Sequence, residues 1–323
     1  MRATHWLGLI AALLLAFAAA LAFGTIDVSL ADGVRALFGR GEQTAITIVR
    51  QLRLPRVVLA ALLGAGLAMS GAALQGVLRN PLAEPYLLGV SGGAAVGAVL
   101  AVALGATFAF IPISAFLGAV VAVILALFVA HATHARGDPR VLVMAGVVVG
   151  AFANAAIMIV LANADASTVR GAVWWMMGSA ADASWQQNLW LTLYVLVGGG
   201  LLVALGRTID ALALGEDSAA GLGVDVNRAA RRVYMTASLV AAATVAAAGL
   251  IGFVGLVVPH LVRRLGARGH REVLLASAVT GALLVVLADL LARVALPPAE
   301  LPLGAVTAVL GVPFFLMTLR RLT

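Results

Sequence analysis

The chain alternates long apolar runs with short polar breaks. Runs bounded by charge, proline or glycine fall at about 6–24, 57–77, 87–104, 112–129, 141–161, 189–205, 233–250, 251–262, 273–296 and 303–319. An α-helix rises 1.5 Å per residue, so ~20 apolar residues cross the ~30 Å of bilayer hydrocarbon. The ten runs predict an all-α, polytopic membrane protein of about ten transmembrane helices, folded as one transmembrane domain over 1–323. Run 251–262 is too short for a straight crossing; either it is tilted within protein, or it shares its boundary with the preceding run at Gly249 to Gly255. The first run admits two readings. Arg2 before an apolar stretch with Ala18-Ala19-Ala20 fits a cleaved signal peptide, but the run continues to Phe23 and the chain is apolar throughout, so a retained first helix is expected.

Composition narrows the class. With 63% hydrophobic and 11% charged residues over 323 positions, the chain cannot cover itself with a wet surface. No cysteine is present, which excludes disulfides, thiolate metal sites and cysteine nucleophiles, and no metal-ligand cluster is read from the sequence. The net charge of +7 is carried by arginine alone and lies mostly at the ends of apolar runs, unlike the single basic face of a nucleic-acid reader. Without lysine there is no Walker-type phosphate-binding lysine and no Schiff-base chemistry.

Arginine also predicts orientation. With ten crossings and the N-terminus inside, the cytoplasmic stretches hold Arg2, Arg79, Arg136, Arg140, Arg207, Arg228, Arg231, Arg232, Arg263, Arg264, Arg268, Arg271, Arg320 and Arg321. The other side holds Arg35, Arg40, Arg50, Arg53, Arg56, Arg170 and Arg293. The fourteen-to-seven bias predicts both termini on the cytoplasmic side of the membrane.

Four polar features interrupt this pattern. The stretch 79–93, Arg-Asn-Pro-Leu-Ala-Glu-Pro-Tyr-Leu-Leu-Gly-Val-Ser-Gly-Gly, is a doubly proline-broken hinge between two apolar runs, more elaborate than chain reversal needs. The loop 207–232 contains a short stretch from Leu212 to Val224 with small and apolar residues on one side and Glu216 and Asp217 on the other. It reads as a short helix able to dock a soluble partner, or as a plain surface loop. Inside the runs Asp289 is the clear ionisable exception, one turn from Arg293, and the reading is a structural pair rather than an ion relay. Arg53, Arg56 and Arg293 run against the inside bias, so they either bind lipid phosphates or form sockets for carboxylates of an external protein.

Several of these stretches are similar, in order, to the permease subunits of type II ABC importers, the family that carries ferric siderophores, haem and cobalamin. The resemblance runs from Arg53-Leu54-Pro55-Arg56 through Asn80-Pro81-Leu82-Ala83-Glu84-Pro85, Leu88-Gly89-Val90-Ser91 and Ala213-Leu214-Gly215-Glu216. It continues in the stretch from Gly252 to His260 and in Ala299-Glu300-Leu301-Pro302-Leu303-Gly304. It implies a homodimer of permeases, two ATPase subunits that hold ATP and magnesium, and a periplasmic substrate-binding protein. The chain itself would bind no cofactor and be no enzyme. Carried over by position, Asn80 and Leu82 match a cytoplasmic gate, with a second gate near Gly137 and Asp138, which depart from the family's small hydroxyl residues. Leu214, Gly215, Glu216, Asp217, Ala220, Gly221, Leu222 and Gly223 match the ATPase-coupling helix. Arg53, Arg56 and Arg293 match the arginines that receive glutamates of the binding protein.

The family's substrate path corresponds to 141–161, 167–178 and 304–315, which offer Asn154, Met158, Arg170, Trp174, Met177 and Thr307, with Asn163, Trp175 and Met176 beside them. Arg170 would meet an anionic group of the cargo or serve structure. The resemblance leaves cobalamin, haem and ferric siderophores as competing cargoes. An ion-coupled secondary transporter is the alternative, thinly supported by one acid.

Overall fold

A computed structural model of the protein describes residues 1–24, 26, 28–132 and 139–319. Its secondary structure there is helical: α1 (Ala3–Ala22), α2 (Leu30–Leu37), α3 (Gln43–Val77), α4 (Val90–Ala103), α5 (Phe110–Ala132), α6 (Pro139–Ala162) and α7 (Ala166–Met176). The chain continues through α8 (Trp185–Ala204), α9 (Gly206–Ala213), α10 (Glu216–Gly221), α11 (Val226–Ala248), α12 (Val254–Arg264), α13 (His270–Val294) and α14 (Leu303–Leu319). Each of the ten apolar runs is helical. Six helices among the described residues, α1, α3, α5, α6, α8 and α13, are long and apolar enough to cross a bilayer. α4 and α14 are shorter apolar helices, α12 has 11 residues, and α11 begins in Arg228, Arg231 and Arg232, so ten full crossings do not follow from helix length and polarity.

The starts of several helices are written locally. Ser29, Asp165, Ser184 and Asp225 each accept a backbone N–H from the third residue onward, the N-cap arrangement that satisfies one of the orphan donors of a helix start. Within α3 the ladder opens to a π-turn over Ile48–Arg53, which separates an amphipathic first segment from the buried remainder.

α3 is the central post. α13, α11, α12 and α8 pack around it, and its positions from Val57 onward are largely buried. Lipid gives no hydrophobic drive for helices to associate, so close approach must come from small residues. Gly64 of α3 lies against Gly281 of α13, and Gly71 against Gly255 of α12; a Cβ at Gly64 would stand 2.0 Å from the Gly281 carbonyl oxygen. Gly93 and Gly97 of α4 meet Gly118 and Ser114 of α5 in the same manner.

The overlap of runs seven and eight resolves as a break. α11 ends at Gly249 (φ 75°), the chain crosses 250–252 without helix, and α12 begins after Phe253 in the left-handed region (φ 68°). α12 then runs back along α3 toward the hinge end of that helix, its Gly255 against Gly71 and its Arg263 against Gln75.

A Gly64→Val variant is expected to lose ~2–3 kcal/mol of stability by overpacking, whereas Gly150→Ala, where a Cβ meets open space, leaves it unchanged. Heat denaturation of the detergent-solubilised chain, followed by monodispersity, measures the difference.

Candidate functional site

The break between α11 and α12 exposes peptide groups that no helix pairs. In a span with no water each would cost several kcal/mol. The hinge segment supplies partners for three of them. After α3 ends, Arg79 turns in the left-handed region (φ 49°) and Asn80 folds an Asx turn, its Oδ1 accepting the Leu82 N–H at 2.9 Å. A short 3₁₀ turn, Pro85–Leu88, then ends at Gly89 (φ 78°), which starts α4. From this segment the Tyr86 hydroxyl accepts the Ile251 N–H at 2.7 Å and donates to the Ile251 carbonyl at 2.9 Å. Glu84 Oε1 accepts the Phe253 N–H at 2.9 Å, placing a carboxylate at the positive end of the α12 dipole. Burial pushes the Glu84 carboxyl above the usual carboxylate range, and the Phe253 N–H pulls it back.

One further carbonyl is freed inside α12. Pro259 has no N–H to give the carbonyl four residues back, that of Gly255. Gln75 of α3 replaces it: Gln75 Nε2 donates to the Gly255 oxygen at 3.1 Å and to that of Leu256 at 3.3 Å. Gln75 Oε1 in turn accepts from Arg263 at 2.7 Å. The end of α3, the hinge and the broken helix are therefore one hydrogen-bonded unit.

The predicted gate residues sit on its outer edge. Asn80 is half-buried and spends its side chain on the turn, while Leu82 points outward, 44% exposed. Gly137 and Asp138, the second predicted gate, lie outside the described residues.

A short helix stands where the coupling helix is expected, and it is shorter than its sequence pattern. Gly215 (φ 110°) starts α10 (Glu216–Gly221), and Gly223 (φ 79°) closes it. Ala219 is buried, and Asp217, Ala220 and Gly221 face outward together with Leu214 and Leu222, which are 68% and 65% exposed. α9, which the sequence reading left as loop, fixes α10 to the bundle: Asp210 Oδ1 accepts both the backbone N–H of His270 (2.8 Å) and its ring Nδ1–H (2.7 Å) at the start of α13. Arg79 of the hinge reaches across to Glu216, Nη2 to Oε1 at 3.6 Å.

At the opposite end of α3 the three remaining arginines meet. Arg56 pairs with Asp289 (2.9 Å) and Glu300 (2.9 Å), and Arg293 with the other Asp289 oxygen (3.1 Å). Arg53 donates to the carbonyls of Leu21 and Ala22 at 2.7 Å and to that of Ile26, and Arg293 to those of Ala20 (3.1 Å) and Phe23 (3.3 Å). The two guanidinium groups thus cap the last turn of α1, where the helix dipole is negative. This corrects the picture of open sockets: Arg53 and Arg293 are only 5% and 3% exposed, and the cations face inward because the α1 carbonyls and Asp289 compete for them. Asp289 is structural, as its spacing from Arg293 suggests, with Arg56 as a second partner.

The path residues divide. Asn154 and Met158 lie one turn apart on α6, and Arg170, Trp174 and Met177 follow i, i+4, i+7 along α7 and its cap; all five are exposed. Thr307 does not join them. It is buried, its hydroxyl bonds the Gly304 carbonyl at 3.0 Å, and it lines a cavity of about 150 Å³ with Phe253, Val257, Thr280 and Phe314. The register of α14 turns it toward the break.

Sequence reasoning quoted Glu84 and Tyr86 without giving them a role and passed over Gln75. The available signal was three polar side chains beside long apolar runs, each opposite a glycine- or proline-bearing break.

A model of the FecCD transport family matches residues 12–321. The chain belongs to the FecCD transport family. It is 43% identical over 278 residues to the vitamin B12 import system permease protein of Vibrio cholerae, covering 85% of this chain and 83% of that one. It is 37% identical over 275 residues to the Fe(3+)-citrate import system permease protein of Bacillus subtilis, covering 84% and 82%. A solved structure described as an inward-facing conformation of a candidate metal-chelate type ABC transporter superposes with a TM-score of 0.90 at 29% identity, over 99% of this chain and 100% of that one. Members of the FecCD family are transport permeases of ABC importers, with the ATPase on a separate subunit. This FecCD chain is a multi-pass membrane permease.

Removing the counter-charge of the arginine cluster tests the assignment of Asp289. Asp289→Asn leaves two buried guanidinium groups short of a partner and is expected to cost about 3–5 kcal/mol. Glu300→Gln, on the half-open side, costs under ~1 kcal/mol; paired melting curves at equal detergent read both.

Proposed function

We propose that this chain is the ATP-driven permease of a metal-chelate importer that works by alternating access, as a homodimer with two ATPase subunits holding ATP and magnesium and a periplasmic binding protein, in a bacterial inner membrane. The observation that carries the mechanism is the unbroken linkage from α10 through Glu216 and Arg79 to the hinge, and from the hinge through Glu84 and Tyr86 to the broken helix. Exposed Leu214 and Leu222 on a short rigid helix give an ATPase subunit an apolar grip. Movement of that helix is transmitted to Asn80 and Leu82, which close the inner end of the path; two copies meet across the dimer axis.

The binding protein docks at the arginine-cluster end. The cluster holds that surface in shape rather than offering the guanidinium groups of Arg53 and Arg293 directly. For cargo, the relatives named for vitamin B12 and ferric citrate support a bulky chelate, with cobalamin first, then haem and ferric siderophores. Exposed Met158, Trp174 and Met177 suit weak contact with a large ligand that must leave as readily as it enters.

In proteoliposomes holding the permease, its ATPase and its binding protein, uptake of cyanocobalamin, haemin or a ferric chelate is expected to require ATP and to ignore an imposed proton gradient. Gradient-driven uptake without the ATPase would overturn the reading. In the same assay Glu216→Arg is expected to reduce transport per ATP hydrolysed by about two- to five-fold, as befits a half-exposed ion pair, and Arg79→Glu in the same chain restores it. An unrestored double variant removes the strut from the mechanism.

A further inference from the structure

A second, larger cavity of about 800 Å³ lies away from the hinge and the coupling helix. It belongs to the arginine-cluster end of the bundle: the N-terminal turns of α8, which form one wall, bond the opposite end of α3, through Trp185 to the Arg50 carbonyl (3.3 Å) and Asn188 to that of Pro55 (2.8 Å). The other wall is the first half of α5. Both helices pack on α11, whose alanine-rich surface leaves a shallow floor at Ala246.

The walls are aromatic and the rim is polar. Phe116 and Tyr194 stand 5.4 Å apart between ring centroids, and Trp190 meets Tyr194 edge-on at 6.2 Å. On the rim lie Asp182 and Gln187. Gln187 uses its amide N–H on the Ala247 carbonyl, which leaves its Oε1 buried with no hydrogen-bond partner. No arginine or histidine lines the cavity. An amphipathic groove edged by an exposed carboxylate, with no cation in its lining, calls for a ligand with an apolar body and a cationic, hydrogen-donating head.

The groove also continues in the right direction. Leu239 and Met235 precede Ala246 by seven and eleven residues, on the same face of α11, and both remain exposed. From Ala246 to Met235 is ~16 Å of helix, about one leaflet of the ~30 Å hydrocarbon layer. Exposed Ile113, Leu117 and Val121 of α5 and Leu193 and Val197 of α8 continue the walls beside it.

We propose that this groove binds one phosphatidylethanolamine, with its ammonium group against the exposed Asp182 carboxylate and an acyl chain laid along α11 between α5 and α8. The primary ammonium donates hydrogen bonds that the quaternary ammonium of phosphatidylcholine lacks, and phosphatidylglycerol brings no cation. The site is separate from the hinge and from α10.

Native mass spectrometry of the detergent-purified permease tests this, after incubation with an equal mixture of phosphatidylethanolamine, phosphatidylcholine and phosphatidylglycerol of identical acyl chains. Phosphatidylethanolamine is expected to be retained about five-fold over each of the others, a margin of the size one charge-assisted hydrogen bond provides. Asp182→Asn is expected to erase the margin, whereas Asp165→Asn, an exposed carboxylate outside the groove, preserves it. Equal retention of the three lipids, preference for phosphatidylglycerol, or a margin unchanged in Asp182→Asn would overturn the proposal. Asp182 is exposed, so its variant folds whatever the lipid does.

Discussion

A peptide group that leaves a helix inside a bilayer finds no water, and the rest of this structure follows from where such groups go. The break at 249–253 frees backbone in the middle of a helical bundle. Tyr86 and Glu84 answer it from another part of the chain, and Gln75 does the same for the carbonyl that Pro259 frees inside α12, so the hinge cannot be an ordinary surface turn. It is tied to α12 by necessity. Every displacement of one is felt by the other through hydrogen bonds whose loss has no solvent substitute.

The two ends of the molecule use charge differently. At the hinge end, Arg79 and Glu216 are half exposed and 3.6 Å apart, a loose pair in high dielectric that can break and re-form. At the other end, Arg53, Arg293 and Asp289 are buried and Arg56 is nearly so, and together they hold α1, α3 and α13. The placement of these pairs gives the bundle one stiff end and one yielding end.

Much of this was legible in the sequence. Apolar run length located all ten helical runs, glycine spacing anticipated close helix contacts, and the order of motifs named the family that the family model then matched. The number of crossings was not legible, because run length does not separate a spanning helix from a half-helix that ends within protein, as α12 does. The partners of the arginines were not legible for a related reason. The sign and position of each arginine are written in the chain, but the carbonyls that draw Arg53 and Arg293 inward belong to α1, over thirty positions away from Arg53 in sequence. The burial of Thr307 was likewise not legible: helical register alone does not tell which side of α14 faces the break.

Hydrogen exchange at 79–89 and 249–256 in wild type and Tyr86→Phe tests the clamp most directly. If the hinge and the broken helix are one unit, both segments are slow in wild type and both accelerate together in the variant, by an amount corresponding to about 1–3 kcal/mol. Acceleration confined to 249–256, with the hinge unaffected, would contradict the account and make the two segments neighbours without a mechanical link.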